Sequence, residues 1–365
     1  MRKYKIAVIF GGCSPEHEVS LQSAYSIISH MDNSKYYPIL LGITKSGEWF
    51  RFLGSPEKIK ENTWHNSGDC VKAVISPDRE TRGILVFDKS GIHSIMLDAA
   101  FPVLHGKNGE DGTLQGLLEL AGIPVVGCKT LASALCMDKD KAHKIADAAG
   151  IKIPRSFILK CNADTFTFGE QAEKLGYPLF VKPVNAGSSF GITKVLSKDE
   201  LPAAVRLASR YDDEIIVEEN IQGFEVGCAV LGNDSLIVGE LDEVELSDGF
   251  FDYKEKYSLE TSSIHVPARI PAEITQKAKE TAQTLYKSLG CTGFARVDMF
   301  ITPSGEIIFN EVNTIPGFTV HSRYPNMLKA LDMTFEQVID AVIGLAVCRR
   351  DNNYGIARKN QNGTI

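Results

Sequence analysis

Between Arg296 and Asn313 the chain reads RVDMFITPSGEIIFNEVN, two alternating apolar runs around a Pro-Ser-Gly turn. Few features constrain a fold more. The runs want to be buried hairpin strands, yet they carry Arg296, Asp298, Glu311 and Asn313 within them. Taking such groups out of water is costly unless they are paired. Side chains two apart share a face, so Arg296 goes with Asp298 and Glu311 with Asn313. With an even loop, Asp298 falls nearly opposite Glu311. Two carboxylates and an amide oxygen on one face suit Mg²⁺ held together with substrate phosphates. The alternative is a structural arginine–carboxylate cluster on a wet face.

The rest of the chain bounds where such a hairpin sits. At 365 residues it is too long for one ordinary core, so two or three domains are expected. A net charge of −7 argues against a nucleic-acid binder held by a basic surface. The eight cysteines form no C-x-x-C pair, which argues against a zinc site or redox dithiol and fits a reducing compartment. The apolar run Ile6 to Phe10 is too short for a signal peptide, and nothing approaches the ~20 apolar residues of a membrane span. The expected location is the cytoplasm.

KIAVIFGG reads as a buried strand entering a glycine turn. HEVSLQSAYSIISHM has helical spacing, with Val19, Ala24, Ile27 and Ile28 on one side. YYPILLGIT and HSIMLDAAFPVL read as further strands, and TLQGLLEL as a helix. This alternation predicts an open α/β sheet over residues 1–127. A second unit, 128–214, carries a helix ending at Gly150 and two strands joined by NAGSSFG. A third, 215–348, is strand-rich and contains the hairpin. The polar tail 349–365 reads as disordered.

Three loops could carry chemistry. Lys182 ends an apolar strand before Gly187-Ser188-Ser189-Phe190-Gly191, whose backbone N–H groups could wrap phosphate, although an ordinary hairpin turn would look the same. His105 ends a strand before a glycine-rich acidic loop, where open α/β sheets place ligands. The plain alternative is a turn with a capping aspartate. Glu16 and Glu18 sit at a comparable strand end, where they could serve a helix dipole or bind an ammonium group.

Together the blocks GGCSPEHEVS, LHGKNGEDGTLQG, SALCMDKDKAHK, VKPVNAGSSFGITKV, VEENIQGFEV, FFDYKEKY, GFARVDMF and NEVNTIPGFTVHSRYP resemble the D-alanine–D-alanine ligases of the ATP-grasp superfamily, from Lys5 to about Ala346. The resemblance implies an ATP-grasp fold: an N-terminal open α/β domain, a central α+β domain and a C-terminal α+β domain. It implies ATP between the last two domains and two Mg²⁺ ions, with Mn²⁺ as a substitute, on Asp298, Glu311 and Asn313. Lys139, Lys182 and Lys256 would hold phosphates, helped by Ser188 and Ser189. Glu218, Glu219 and Ile221 would border the adenine, and Glu225 would bind the ribose. Family members often have a basic residue at the position of Glu219, which matters little if the backbone makes that contact.

The implied reaction passes the γ-phosphoryl of ATP to the carboxylate of a first D-alanine. The amine of a second D-amino acid then attacks the acyl phosphate. Glu16 would bind the first ammonium, His105 would lie near the first carboxylate, and Tyr257 would meet Ser188 and Glu16. Arg296 and the backbone N–H of Gly317 would face the tetrahedral oxyanion. A lid loop at about 246–263 would exclude water, and a homodimer through the first domain is implied. An ATP-grasp carboxylase or an inactive nucleotide-binding regulator are rival readings. The intact Glu16, Ser188, Tyr257 set and the retained Arg296 and metal ligands argue against both.

Two residues after His321, where D-alanine–D-alanine ligases place an apolar side chain, this chain has Arg323. Phe251 replaces a usual lid tyrosine, and Asp242 precedes the lid. With Ser322, these residues resemble the second-substrate pocket of the VanG-type D-alanine–D-serine ligases of vancomycin resistance. That likeness implies D-serine as second substrate, with a housekeeping D-alanine–D-alanine ligase as the alternative. Cell-wall precursors ending in D-serine would bind vancomycin weakly.

Overall fold

The computed structural model describes residues 2–160, 165–187, 190–246 and 262–361. Strands β1 (Tyr4–Gly11), β2 (Tyr36–Ile43), β3 (Trp49–Phe52), β4 (Cys70–Ile75), β5 (Gly83–Asp88), β6 (Gly91–Met96) and β7 (Ala99–Pro102) form one sheet, ordered β6-β5-β4-β3-β2-β1-β7. Its helices are α1 (His17–His30), α2 (Pro56–Lys60) and α3 (Thr113–Leu120). β1 pairs in parallel with β2 and β7, and its last six residues are buried, as a strand covered on both faces requires.

The expected alternation of strand and helix holds only at this end. From β2 to β6 the chain is an antiparallel meander of short strands that the apolar pattern does not announce. The run from His93 to Leu104, expected as one strand, is split between β6 and β7 at opposite edges of the sheet. The break falls at Leu97-Asp98, where the buried Asp98 carboxylate accepts the Lys5 N–H at 2.8 Å and ties the corner to β1.

Next come α4 (Thr130–Met137), α5 (Lys139–Ala148), β8 (Ser156–Lys160), α6 (Thr165–Leu175), β9 (Leu179–Pro183), β10 (Thr193–Val195), α7 (Leu201–Ala208) and β11 (Glu214–Glu219). Their antiparallel sheet has the order β10-β9-β11-β8. The boundary expected at 215 therefore moves: β11 pairs with both β8 and β9, and the second sheet ends at Glu219.

The third sheet is ordered β14-β13-β12-β15-β16. It comprises β12 (Phe224–Gly232), β13 (Leu236–Leu246), β14 (Ser262–His265), β15 (Gly293–Ile301) and β16 (Ile307–Asn313), with α8 (Ala272–Ser288) laid across it. α4 and α5 belong to this core and not to the second sheet, because Ala132, Cys136 and Ala142 pack with Val226, Leu285 and Val297.

Two last helices return to the start of the chain. α9 (Arg323–Lys329) and α10 (Phe335–Gln361) put Met327, Val338 and Val342 into one core with Ile6, Val8 and Leu21. The backbone of α10 runs on to Gln361 through the tail expected to be disordered from 349. No proline interrupts that stretch, so the packed half of the helix propagates outward. Phe101, Phe294, Phe318 and Tyr324 join the first and third sheets, with ring centroids 5.5 Å apart for Phe294–Phe318 and 5.7 Å for Phe101–Phe318. Among the described residues no helix is long and apolar enough to cross a membrane.

Candidate active site

The hairpin reaches the expected facing by a different route: the loop between Ile301 and Ile307 has five residues and not an even number, which alone would set Asp298 opposite Asn310, and a bulge shifts the pairing by one. Asp298 lies opposite Glu311 and Arg296 opposite Asn313, with a bulge between Asp298 and Met299. On this face Arg296 grips Asp298 through Nε at 2.8 Å and Nη2 at 2.7 Å, and Asn313 Nδ2 donates to the same carboxylate at 2.8 Å. Burial opposes a charged Arg296, but the charge and hydrogen bonds of Asp298 together with the charge of Asp242 raise the guanidinium pKa on balance. Glu311 lies within 3.8 Å of the Lys139 ammonium.

Two cavities meet at this face. The larger, about 520 Å³, lies between the second and third sheets and takes Lys182 from β9, Glu218 and Glu219 from β11, Ile221, and Glu225 from β12. Lys139 and Glu311 line both cavities. The smaller, about 120 Å³, gathers Glu16, His105, Arg296, Asn313, Gly317 and Arg323. Residues named from six separate stretches of sequence thus share two adjoining spaces. Ser188, Ser189, Phe251, Lys256 and Tyr257 lie outside the described residues.

The larger cavity fits a nucleotide. Buried Lys182 donates to Glu218 Oε2 at 2.6 Å, while Glu218 Oε1 is buried without a hydrogen-bond partner, 3.7 Å from His143 Nδ1. Burial works against the Glu218 carboxylate, yet the charges of Lys182 and His143 keep its pKa below the ordinary value. A carboxylate oxygen held ready in this way suits an amino-group donor such as an adenine amine. The Glu219 side chain is held by Arg155, whose N–H and Nε donate at 2.8 and 2.7 Å, which leaves a ligand the backbone at that position. Phe180, Arg269 and Phe300 also line this cavity and were not singled out from sequence. Phe180 and Phe300 carried only the strand pattern, and Arg269 is brought in by its Glu243 pair.

The polar face of β15 and β16 fits a divalent cation. Glu311 and Asn313 are hard oxygen donors on the cavity wall, while Asp298 lies buried just behind them and lines neither cavity, its oxygens bonded to Arg296 and Asn313 yet keeping lone-pair capacity for a metal.

In the smaller cavity Glu16, the residue before α1, is buried and presses against two loops. A Cβ on Gly106 would come 2.7 Å from Glu16 Oε2, and one on Gly187 3.0 Å. Only glycine lets both backbones approach so closely, and Gly106 also adopts φ +73°. His105 forms part of the wall. Its Nδ1 is 2.9 Å from the Ile315 carbonyl and its Nε2 is 3.5 Å from Ser23 Oγ. Ser322 Oγ accepts the Thr319 N–H at 3.0 Å in its own turn and does not line the cavity.

Arg323, the first residue of α9, is buried. Nε and Nη2 bond Asp242 at 2.6 and 2.8 Å, and Nη1 bonds Glu225 at 2.8 Å. The pairing with Asp242 was anticipated. The bond to Glu225, which lines the nucleotide cavity, was not. Gly227 makes room for the pair: a Cβ there would fall 2.7 Å from both Arg323 Nη2 and Asp242 Oδ1. Gly227→Ala should therefore cost about 1–3 kcal/mol of stability as an overpacked site, read as a lower urea midpoint at unchanged slope.

A nucleotide-sized cleft between two sheets, with a lysine-flanked acidic hairpin at its edge and a third sheet's loops closing the smaller cavity beside it, is the arrangement of an ATP-dependent ligase of the ATP-grasp type. Residues 5–128 match the family model for the D-ala D-ala ligase N-terminus, and residues 145–344 that for the D-ala D-ala ligase C-terminus. The chain belongs to the D-alanine–D-alanine ligase family, whose members use ATP and a divalent metal. Among solved structures it is similar to the VanG D-Ala:D-Ser ligase from Enterococcus faecalis, at 58% identity over 94% of this chain and 100% of that one, with a TM-score of 0.88. It is 46% identical to the vancomycin B-type resistance protein VanB of Enterococcus faecalis, covering 96% of this chain and 100% of VanB. It is 43% identical to the D-alanine–D-alanine ligase of Caldicellulosiruptor bescii, covering 95% and 96%.

Proposed function

We propose that the protein joins D-alanine to D-serine through a D-alanyl phosphate, and so makes the D-serine-ended dipeptide for cell-wall precursors. One observation carries the second-substrate assignment: Arg323 stands in the wall of the small cavity on a buried carboxylate fork. A guanidinium has five N–H donors, and the bonds to Asp242 and Glu225 use three. The remaining donors suit a side-chain hydroxyl and are poorly matched to a methyl group.

The other residues take complementary roles. Glu16 binds the ammonium of the first D-alanine. Lys139 and Lys182 neutralise phosphate charge in a transfer that needs positioning more than covalent chemistry. Asp298, Glu311 and Asn313 would hold two Mg²⁺ ions, or Mn²⁺, which supply charge neutralisation at the phosphoryl oxygens. The amine nitrogen of D-serine then attacks the D-alanyl carbonyl carbon. Arg296 and the Gly317 N–H face the oxyanion, phosphate departs with the electrons of the broken C–O bond, and the proton shed by the nitrogen passes to that phosphate.

The test is the dipeptide formed from equimolar D-alanine and D-serine with ATP and Mg²⁺. D-alanyl-D-serine should predominate, and Arg323→Leu should shift the product ratio toward D-alanyl-D-alanine by about 10- to 100-fold, the worth of one hydrogen bond to a charged donor. Predominant D-alanyl-D-alanine from the unaltered enzyme would favour the housekeeping reading. An unchanged ratio in the variant would remove Arg323 from the specificity argument.

A further inference from the structure

We propose that Glu110 and Ser23, together with His105, are positioning residues that set the backbone N–H of Gly317 for the second chemical step. The inference rests on the ligase reading above and gives that site an additional part.

The segment Thr314 to Phe318 leaves β16 and belongs to no strand or helix, so its peptide groups need partners from elsewhere. They find them on loops and a helix of the first sheet. Ile315 donates its N–H to Glu110 Oε1 at 3.1 Å, and the Ile315 carbonyl is 2.9 Å from His105 Nδ1. Glu110 Oε2 accepts the Gly106 N–H at 2.8 Å, which locks the acid to its own loop. Three residues on, the Phe318 N–H points to Ser23 Oγ at 3.4 Å, and that oxygen is 3.5 Å from His105 Nε2.

These contacts form one directional chain. The Ile315 carbonyl can only accept, so Nδ1 carries the proton. In the neutral ring Nε2 then accepts the Ser23 hydroxyl, and the Ser23 oxygen receives the Phe318 N–H. Burial lowers the His105 pKa and favours that neutral ring. Ile315 and Phe318 are thereby pinned on either side of Pro316 and Gly317. The proline ring fixes its own φ, so little backbone freedom remains except at the glycine, the residue most in need of restraint. The Phe318 ring is held as well, in the aromatic cluster with Phe294 and Phe101.

The experiment compares full-length Glu110→Gln and Ser23→Ala enzymes with the unaltered one in four readouts. These are kcat for dipeptide, KM for ATP and each amino acid, melting temperature, and the affinity of a tetrahedral phosphinate analogue of the dipeptide. Glu110→Gln places an amide N–H where Gly106 already donates. Its kcat should fall about 10- to 100-fold, and the phosphinate should bind more weakly by a similar factor, with KM values within about two-fold of the original. Ser23→Ala, a mild substitution that keeps the helix, should show the same pattern at about 3- to 10-fold. The proposal is overturned if kcat is unchanged, if phosphinate affinity holds while kcat falls, or if the KM for the first D-alanine carries the loss. An unaltered enzyme that forms no dipeptide from D-amino acids would refute the ligase reading itself, a separate result.

Discussion

Glu311→Gln should lower kcat about 10³-fold or more and leave the fold intact. Glu311 is the cross-strand partner of Asp298, lines both cavities and lies 3.8 Å from the Lys139 ammonium. The amide keeps shape and volume but removes the negative charge that faces Lys139 and that the proposed metal site requires. Charge stabilisation that exists to meet a transferring phosphoryl group is worth several kcal/mol in a site shielded from water. Stability should change little, because the side chain is one-quarter exposed and borders open cavities. The measurement is ADP release with D-alanine and D-serine across a Mg²⁺ titration, beside a melting curve. A variant within tenfold of the original rate at low Mg²⁺ would mean that this face of the hairpin does not hold the metal. Chelation by excess EDTA should likewise abolish turnover by the unaltered enzyme and leave the melting temperature nearly the same, since the third sheet's core is made of apolar side chains away from the hairpin's polar face.

The second large effect is on stability. Asp242→Ala should destabilise the protein by about 3–5 kcal/mol, the usual consequence of leaving one member of a buried ion pair behind. Asp242 has no exposed surface, accepts two bonds from Arg323 and takes the Gly227 N–H at 2.7 Å. Burial alone would push Arg323 toward neutrality, but the Asp242 and Asp298 charges reverse this and hold it firmly protonated. The charge remains even when Asp242 is removed, because a guanidinium keeps its proton in proteins and Glu225 and Asp298 still stand beside it. Asp242→Ala combined with Arg323→Leu should recover a large part of the loss, because the stranded cation is then absent. Urea unfolding of the single and double variants decides the matter. Equal destabilisation in both would show that the cost is a cavity and not an unpaired charge.

Local periodicity carried much of the site. Strand parity placed Arg296 with Asp298 and Glu311 with Asn313, but the loop from Thr302 to Glu306 is odd and not even as expected, and it is the bulge beside Asp298 that turns Glu311 to face it. Glu16 and His105 could be found because each follows a buried strand, where an α/β sheet opens its ligand crevice. The meander β3 to β6 was missed because its strands are short and half-exposed, so no clean alternation announces them. Glu110 was missed because an acid in a glycine-rich loop reads as a turn residue. Its partner Ile315 is 205 residues away.

From its sequence alone this chain declared its family and the identity of many polar groups that line the cleft. Those follow from side-chain chemistry and from periods of two and 3.6 along the backbone. Tertiary structure decided which helices cover which sheet, that β11 closes the second sheet, and that Arg323 reaches Glu225 as well as Asp242, across 98 and 81 residues. Such pairings depend on how sheets and helices pack in space, and a buried charge takes whichever opposite charge the packing brings near. Spacing along the chain does not encode that choice.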